Sequence, residues 1–271
     1  MGFLTEPEPA RGVPLPAAPG VVRLVADNPG PMTGHGTNTW LIEDDGITVL
    51  DPGPDDARHV QAILRATSGR VRRILVSHTH RDHIGAVPAL AAATGAPVHG
   101  FHRPQDPGFV PDVALDDGDM AGAWRALHTP GHAGDHLCFA RADGVILTAD
   151  HVMTWSTSVV SPPEGDMAAY VASLRRLIAR EDRLLLPGHG PPLAGPATYL
   201  RELLDHRLRR EAAILAAISA GSQSLNEIVE CVYVPLNPDL RPAAGRNVLA
   251  HLLKLQQEGR ARPDGTGWRA A

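Results

Sequence analysis

Residues 71–83 read VRRILVSHTHRDH, an apolar run followed by three histidines and one aspartate. The apolar part, Val71–Ser77, predicts a buried strand, and a helix is predicted over residues 84–94, where Gly95 ends it. Imidazole nitrogens and carboxylate oxygens suit Zn²⁺ and the neighbouring first-row ions. Four such groups crowded into one turn would repel one another on protonation and are costly to desolvate. The segment therefore predicts a metal site, and the alternative is a solvated polar turn.

Three more ligand-type residues stand directly after short apolar strands, beside glycine or proline. They are His132 in TPGH, Asp150 in LTAD and His189 in LPGHG. Open sheets place active sites along the edge where their strands end, so we expect these residues to converge on the histidine segment. A structural ion takes four ligands and a catalytic ion takes three plus a water. Seven ligands with one bridging carboxylate therefore fit two ions better than one.

The composition bounds the class of protein. The chain has 271 residues, 43% of them hydrophobic, and a net charge of −5. This apolar content is too high for a disordered chain, and the mild acidity argues against a globally basic nucleic-acid binder. Two cysteines are too few for a disulfide framework. The acidic, proline-rich beginning lacks the apolar stretch of a signal peptide, and no apolar run is long enough to span a membrane, so we expect a cytoplasmic protein.

The pattern of elements changes along the chain. Strands alternate with helices as far as residue 195, and helices dominate after it. We therefore predict a flexible lead-in over residues 1–19, a first domain over 20–197 and a small, mostly helical domain over 198–271. In the last domain, Ser224 and Glu227 form the pattern of a capping box, and Asp264-Gly265 marks the turn of a small hairpin.

Five ordered motifs resemble the metallo-β-lactamase superfamily: VLDPG around Asp51, then HTHRDH, TPGH, TAD and PGHG. The resemblance covers about residues 20–195. It implies an α+β fold, namely an αββα sandwich of two mixed sheets with helices outside and metals at one end. It also implies a first ion on His78, His80 and His132, a second on Asp82, His83 and His189, and Asp150 as the bridge. Asp51 is implied to orient the histidine loop from behind without being a ligand.

A second set of matches resembles the β-lactamase-like protein 2 subfamily. It comprises residues 28–42, NPGPMTGHGTNTWLI, and C-terminal patterns that include residues 247–259, NVLAHLLKLQQEG. The subfamily implies a winged-helix-like domain at the end of the chain. One departure from it is His151, which follows the bridging aspartate. This side chain either points toward the pocket and alters substrate choice, or lies behind the site or at the surface.

The resemblance implies a hydrolase in which two divalent metal ions activate a shared hydroxide. Zn²⁺ is the expected ion, and Fe or Mn are the alternatives. The expected substrate is a small acyl compound: an ester, thioester, lactone or amide. Asp82 is expected to hold the nucleophile and then pass a proton to the leaving group. His136 is expected to orient a ligand.

Two alternatives stay open at this point. One is an endoribonuclease acting on single-stranded RNA, which the C-terminal domain would bind. The basic residues that favour it form two groups: Arg207, Arg209 and Arg210, and then Arg260, Arg262 and Arg269. The domain is nevertheless close to neutral, so walling the active site or forming a dimer are equally good roles for it. The other alternative is a non-catalytic protein with a structural metal site, and the sequence leaves the oligomeric state open.

Overall fold

A computed structural model describes residues 2–221 and 223–271. Two sheets form its centre. The first sheet has seven strands in chain order: β1 (Leu15–Ala18), β2 (Val21–Val25), β3 (Asn38–Glu43), β4 (Ile47–Leu50), β5 (Val71–Leu75), β6 (Val98–Phe101) and β7 (Val113–Leu115). Neighbours from β1 to β4 are antiparallel, and those from β4 to β7 are parallel.

The second sheet has six strands and is mixed as well. Its strands are β8 (Met120–Ala121), β9 (Trp124–His128), β10 (Leu137–Arg141), β11 (Val145–Ala149), β12 (Leu184–Pro187) and β13 (Leu193–Ala194). They lie in the order β13-β12-β11-β10-β9-β8, and only β11 and β12 pair in parallel. Parallel neighbours end at the same edge, which is why the turns after β11 and β12 meet.

The helices cover the outer faces of the sheets and form the C-terminal region. They are α1 (Ala57–Thr67), α2 (Arg81–Ile84), α3 (Val87–Thr94), α4 (Met167–Ile178), α5 (Ala197–Ser219), α6 (Leu225–Val232) and α7 (Arg241–Gln257). A 3₁₀ turn (Pro238–Leu240) precedes α7, and a hairpin of β14 (Ala261–Asp264) and β15 (Gly267–Ala270) follows it. Ser224 caps α6 in the predicted capping box.

Three apolar layers hold the sandwich together. Between the two sheets lie bulky side chains such as Trp40, Trp124 and Phe139. Outside the first sheet, Ile63 of α1 and Leu90 of α3 are completely buried. A third layer lies outside the second sheet, where α4 and α5 pack. The order helix, sheet, sheet, helix is the predicted αββα sandwich, which confirms the fold class.

The C-terminal region has an apolar core of its own. Ile214 and Ile218 at the end of α5 pack with Ile228 of α6 and Val248 of α7. The hairpin closes this cluster through Ala261. The predicted helical domain with a terminal hairpin is therefore present, while the boundary between residues 197 and 198 stays a prediction.

The structure differs from expectation in two places. Part of the expected flexible lead-in is the edge strand β1, and Glu6 forms a bidentate pair with the buried Arg23 at 2.7 Å and 3.0 Å. The carboxylate is needed there because a buried guanidinium is costly without a partner. The helix predicted over residues 84–94 is interrupted at Gly85, where a Cβ would lie 2.5 Å from the backbone nitrogen of Asp55. The preceding turn, α2, already begins at Arg81.

Candidate metal centre

The seven predicted ligands meet at one end of the sandwich. His78 and His80 lie in the loop after β5, and Asp82 and His83 lie on α2. The remaining three follow the ends of strands of the second sheet: His132 after β9, Asp150 after β11 and His189 after β12. They form two groups, His78 with His80, His132 and Asp150, and Asp82 with His83 and His189. Within each group, the potential ligand atoms all lie within 4.8 Å of one another.

The first group points its ring nitrogens at a common centre. Nδ1 of His80 is 2.9 Å from Nε2 of His78 and 3.0 Å from Nε2 of His132. Burial, followed by its histidine neighbours, holds the pKa of His78 well below its usual value. Burial likewise lowers the pKa of His132 to about 4, against the opposing effect of Asp150. Both imidazoles are therefore neutral at pH 7, which is the form that binds a metal.

Asp150 faces both groups. Its Oδ2 is 3.6 Å from Nε2 of His132, in the first group. Its Oδ1 is 3.5 Å from Nε2 of His83 and 3.3 Å from Nε2 of His189, in the second. Asp82 completes the second group, with Oδ2 at 3.3 Å from Nε2 of His189. One carboxylate thus presents an oxygen to each group, as a bridging ligand would.

Hydrogen bonds also fix ligand histidines from the side of the ring that faces away from the metal centre. Oδ2 of Asp51 accepts from Nδ1 of His83 at 2.9 Å and from the Ser77 hydroxyl at 2.6 Å, while its Oδ1 accepts from the Ser77 backbone N–H at 2.8 Å. His132 donates from Nδ1 to the carbonyl of Val159 at 2.7 Å. These bonds set the tautomer and leave Nε2 as the free ligand atom. Asp51 lies behind the histidine loop, where the resemblance placed it.

The donor set fits a pair of cations. Nε2 of His83 and Oδ1 of Asp150 are both buried, and neither has a hydrogen-bond partner among the described residues. Burial opposes protonation of His189 and His83, but the facing carboxylates outweigh it, raising the pKa of His189 to about 9 and that of His83 well above its usual value. The carboxylates therefore create a strongly negative field at the second group. A divalent ion satisfies both the field and the orphaned atoms.

Two further histidines of the sequence analysis lie behind the site. His136 bonds through Nδ1 to the Thr129 hydroxyl at 2.9 Å, and its ring centre lies 5.1 Å from that of His78. Its ring packs beside that of His78, which is compatible with the expected role of orienting a ligand. His151 is completely buried and packs on Tyr170 with ring centres 4.5 Å apart. It does not line the cavity at the metal centre, so the structure favours the placement behind the site.

A cavity of about 480 Å³ opens from the two groups toward the C-terminal helices. Its metal end is formed by His80, Asp82, His132, Asp150 and His189. Its walls are largely apolar and include Met32, Met153, Trp155, Tyr233, Leu236 and Leu240. The sequence left walling of the active site open as a role of the C-terminal domain, and Tyr233, Leu236 and Leu240 of that region line the cavity. Tyr233 and Leu236 lie in a loop after α6 whose sequence gives no sign of a distant pocket.

The comparisons with known proteins agree with this geometry. Residues 32–189 match the profile of the Metallo-beta-lactamase superfamily, and residues 224–268 match that of the Beta-lactamase associated winged helix domain. A Drosophila melanogaster protein named Beta-lactamase-like protein 2 homolog is 30% identical over 265 residues, which cover 89% of each chain. An Aspergillus chevalieri protein named Atrochrysone carboxyl ACP thioesterase is 30% identical over 260 residues, covering 88% of this chain and 82% of its own.

A solved structure extends the likeness to the whole fold. A Beta-lactamase domain protein from Burkholderia ambifaria superposes with a TM-score of 0.84 at 27% identity, over 97% of this chain and 95% of its own. Fold, ligand groups and matches together define a metal-dependent hydrolase. The chain belongs to the metallo-β-lactamase superfamily and carries the winged-helix domain associated with it. In the described residues, no helix combines the length and apolar character needed to cross a bilayer.

Proposed function

We propose that this protein is a binuclear metal-dependent hydrolase of acyl thioesters. The observation that carries the proposal is Asp150, whose two carboxylate oxygens face two separate ligand groups. His78, His80 and His132 would hold one ion, Asp82, His83 and His189 the other, and Asp150 would contact both. When bound, two such ions supply a nucleophile at neutral pH and stabilise negative charge on the substrate oxygen.

Asp82 is the proposed catalytic residue. Its side chain is 30% exposed and lines the cavity, whereas the side chain of Asp150 is only 9% exposed. Burial opposes its ionisation, but His83 and His189 outweigh this and keep its pKa well below the usual range. The carboxylate is therefore ionised, and it can hold the attacking water by accepting a hydrogen bond from it. Its proposed second role is to carry the proton released by that water to the leaving group.

The side chains that line the cavity favour acyl substrates over RNA. Its largely apolar wall suits an acyl chain, and the Aspergillus chevalieri relative is named as a thioesterase. Two of the arginines that suggested RNA binding are engaged in contacts within the protein: Arg207 is 3% exposed, and Arg210 stacks on Tyr233 at 3.9 Å. Arg209 and Arg262 are exposed but do not line the cavity. Arg260 pairs with Glu211 and Glu258 at 3.4 Å and 3.1 Å. A groove that follows a polyanion needs free cations.

A substrate panel on zinc-loaded protein tests the proposal. We expect hydrolysis of acyl thioesters, about two bound ions per chain, and no cleavage of labelled single-stranded RNA. Asp82→Asn should lower kcat by at least about 100-fold, while Asp205→Asn, at an exposed aspartate of α5 outside the cavity, should not change it.

Three results would each contradict part of the proposal. RNA cleavage with steep salt dependence would establish the endoribonuclease alternative. Metal binding without turnover of any substrate would establish the non-catalytic alternative. Unchanged turnover after joint replacement of Asp82 and His132 would exclude this site as the active site.

A further inference from the structure

We propose that the C-terminal helices position two metal ligands, through a loop that Arg207 and Asn247 hold in place. The loop is residues 158–160, between β11 and α4. Arg207 belongs to α5 and Asn247 to α7, so both follow the last strand of the second sheet in the chain. The inference rests on the proposed metal centre but not on the choice of substrate.

The loop makes direct contact with two of the predicted metal ligands, His132 and Asp150. The carbonyl of Val159 accepts a hydrogen bond from Nδ1 of His132 at 2.7 Å. The hydroxyl of Ser158 donates to the carbonyl of Asp150 at 2.5 Å and lies 3.1 Å from that of His151. A shift of the loop would therefore rotate the His132 ring and displace the backbone that carries the bridging Asp150. Such supporting bonds commonly change metal affinity 10- to 100-fold.

The C-terminal helices hold this same loop from its other side. Arg207 donates from Nη2 to the carbonyl of Ser158 at 2.5 Å and from Nη1 to Oδ1 of Asn247 at 3.4 Å. The same Asn247 oxygen accepts from the backbone N–H of Val160 at 3.2 Å. All three loop residues are thus joined by hydrogen bonds either to a metal ligand or to the C-terminal helices.

The guanidinium of Arg207 is fixed as firmly as the loop. It lies 4.8 Å above the ring of Tyr170, whose hydroxyl donates to the carbonyl of His151 at 2.9 Å. Arg207 is 3% exposed and Asn247 is 7% exposed. A buried cation is costly, and an apolar side chain of equal length would serve packing as well or better. The directional hydrogen bonds to the loop are what an apolar side chain could not supply.

Zinc affinity, measured by competition with a chromogenic chelator, separates positioning from simple stability. Arg207→Met keeps the apolar stem on Tyr170 but removes both hydrogen bonds, and Asn247→Ala removes the bond to Val160. We expect each variant to bind Zn²⁺ about 10- to 100-fold more weakly than the wild type. The absorption bands of the Co²⁺-loaded variants should also shift, because the ligand geometry changes. Arg207→Lys should recover part of the affinity, since an ammonium can still donate to the Ser158 carbonyl.

Leu203→Ala is the matched control. Leu203 is a buried residue of the same helix, one turn before Arg207, and packs in the apolar layer of α4 and α5. The substitution should lower the thermal midpoint of the metal-free protein, yet change zinc affinity less than about threefold.

The inference is overturned if Arg207→Met and Asn247→Ala both bind Zn²⁺ within threefold of the wild type, or if Leu203→Ala weakens binding as much as they do. If Arg207→Met does not fold, the zinc affinities of Asn247→Ala and Arg207→Lys are compared with that of the wild type by the same threefold limit. A wild-type protein that binds no Zn²⁺ overturns the proposed function together with this inference. Normal zinc binding without thioester hydrolysis overturns only the substrate proposal.

Discussion

Gly188 is a single residue on which the geometry of the metal centre depends. A Cβ at this position would lie 2.4 Å from Oδ1 of Asp150 and 3.1 Å from Cε1 of His83. Gly188→Ala should therefore displace the side chains of both Asp150 and His83, and it should weaken zinc binding at least about tenfold. Chelator competition measures this affinity.

Gly245→Ala is the control at the residue scale. Gly245 lies within α7, where an added Cβ would have its nearest neighbour, Cδ2 of Leu225, at 3.9 Å. Alanine there should leave zinc affinity unchanged and favour the helix by up to about 1 kcal/mol. Equal affinities for both alanine variants would show that the space beside Asp150 is not critical.

At the scale of elements, Glu211 joins α5 to α7 through a buried ionic cluster. Its carboxylate contacts Lys254 at 2.9 Å and Nδ1 of His251 at 3.4 Å. Burial opposes its ionisation, but hydrogen bonds from His251 and Lys254 outweigh this and lower its pKa to about 2. A pKa lower in the folded than in the unfolded state means that the unfolded chain binds more protons between about pH 4.5 and pH 2. The stability that Glu211 contributes is complete above this range and is lost as the pH falls through it.

Denaturant unfolding of the metal-free protein at pH 6 and pH 3 measures this contribution. Glu211→Gln should be less stable than the wild type at pH 6, and the difference should shrink by about 1–2 kcal/mol at pH 3. Acid-sensitive groups that do not contact Glu211 are common to both proteins and cancel in the comparison. A difference that is the same at both pH values would show that this carboxylate does not stabilise the contact between the helices.

At the scale of the whole molecule, the cavity is built by both parts of the chain. Leu236 of the winged-helix region lines it, together with Met153 and Trp155 of the sandwich. Leu236→Ala removes apolar surface that an acyl chain would cover, worth about 1 kcal/mol or about fivefold in affinity. We expect KM to rise about fivefold for long-chain thioesters and to stay unchanged for acetyl thioesters.

Val234→Ala is the control for this prediction. Val234 is 77% exposed and does not line the cavity, so its truncation should alter neither KM. If Leu236→Ala raises KM equally for both substrates, or for neither, the acyl chain does not lie along the C-terminal wall.

Metal removal tests whether bound ions stabilise the folded molecule. The seven predicted ligands come from four separate segments of the sandwich, so ions bound there would join these segments only in the folded state. Chelation should lower the thermal midpoint, and adding Zn²⁺ should restore it in a concentration-dependent way. A midpoint that does not respond to either treatment would contradict a tightly bound centre.

The candidate ligands could be predicted from the amino-acid sequence, and the resemblance of its motifs to a known family implied the fold class. Several predicted strands are each followed by ligand-type residues, so HTHRDH and the later positions His132, Asp150 and His189 were visible without any tertiary information. The strand ends and the helical C-terminal region follow from local hydrophobic periodicity, which also indicated where the ligands would meet. Because a metal ligand must be a particular residue type, it can be recognised from the sequence alone.

The other side chains that support the site became apparent only from the folded chain. Arg207 stands beside Arg209 and Arg210 in the sequence and looked like part of a basic surface, yet it is buried against a loop 49 residues away. Leu236 likewise reaches the cavity only because the winged-helix region packs on the sandwich. Burial and long-range hydrogen bonds depend on how elements dock, and an arginine on a helix has the same local pattern whether its face meets water or protein.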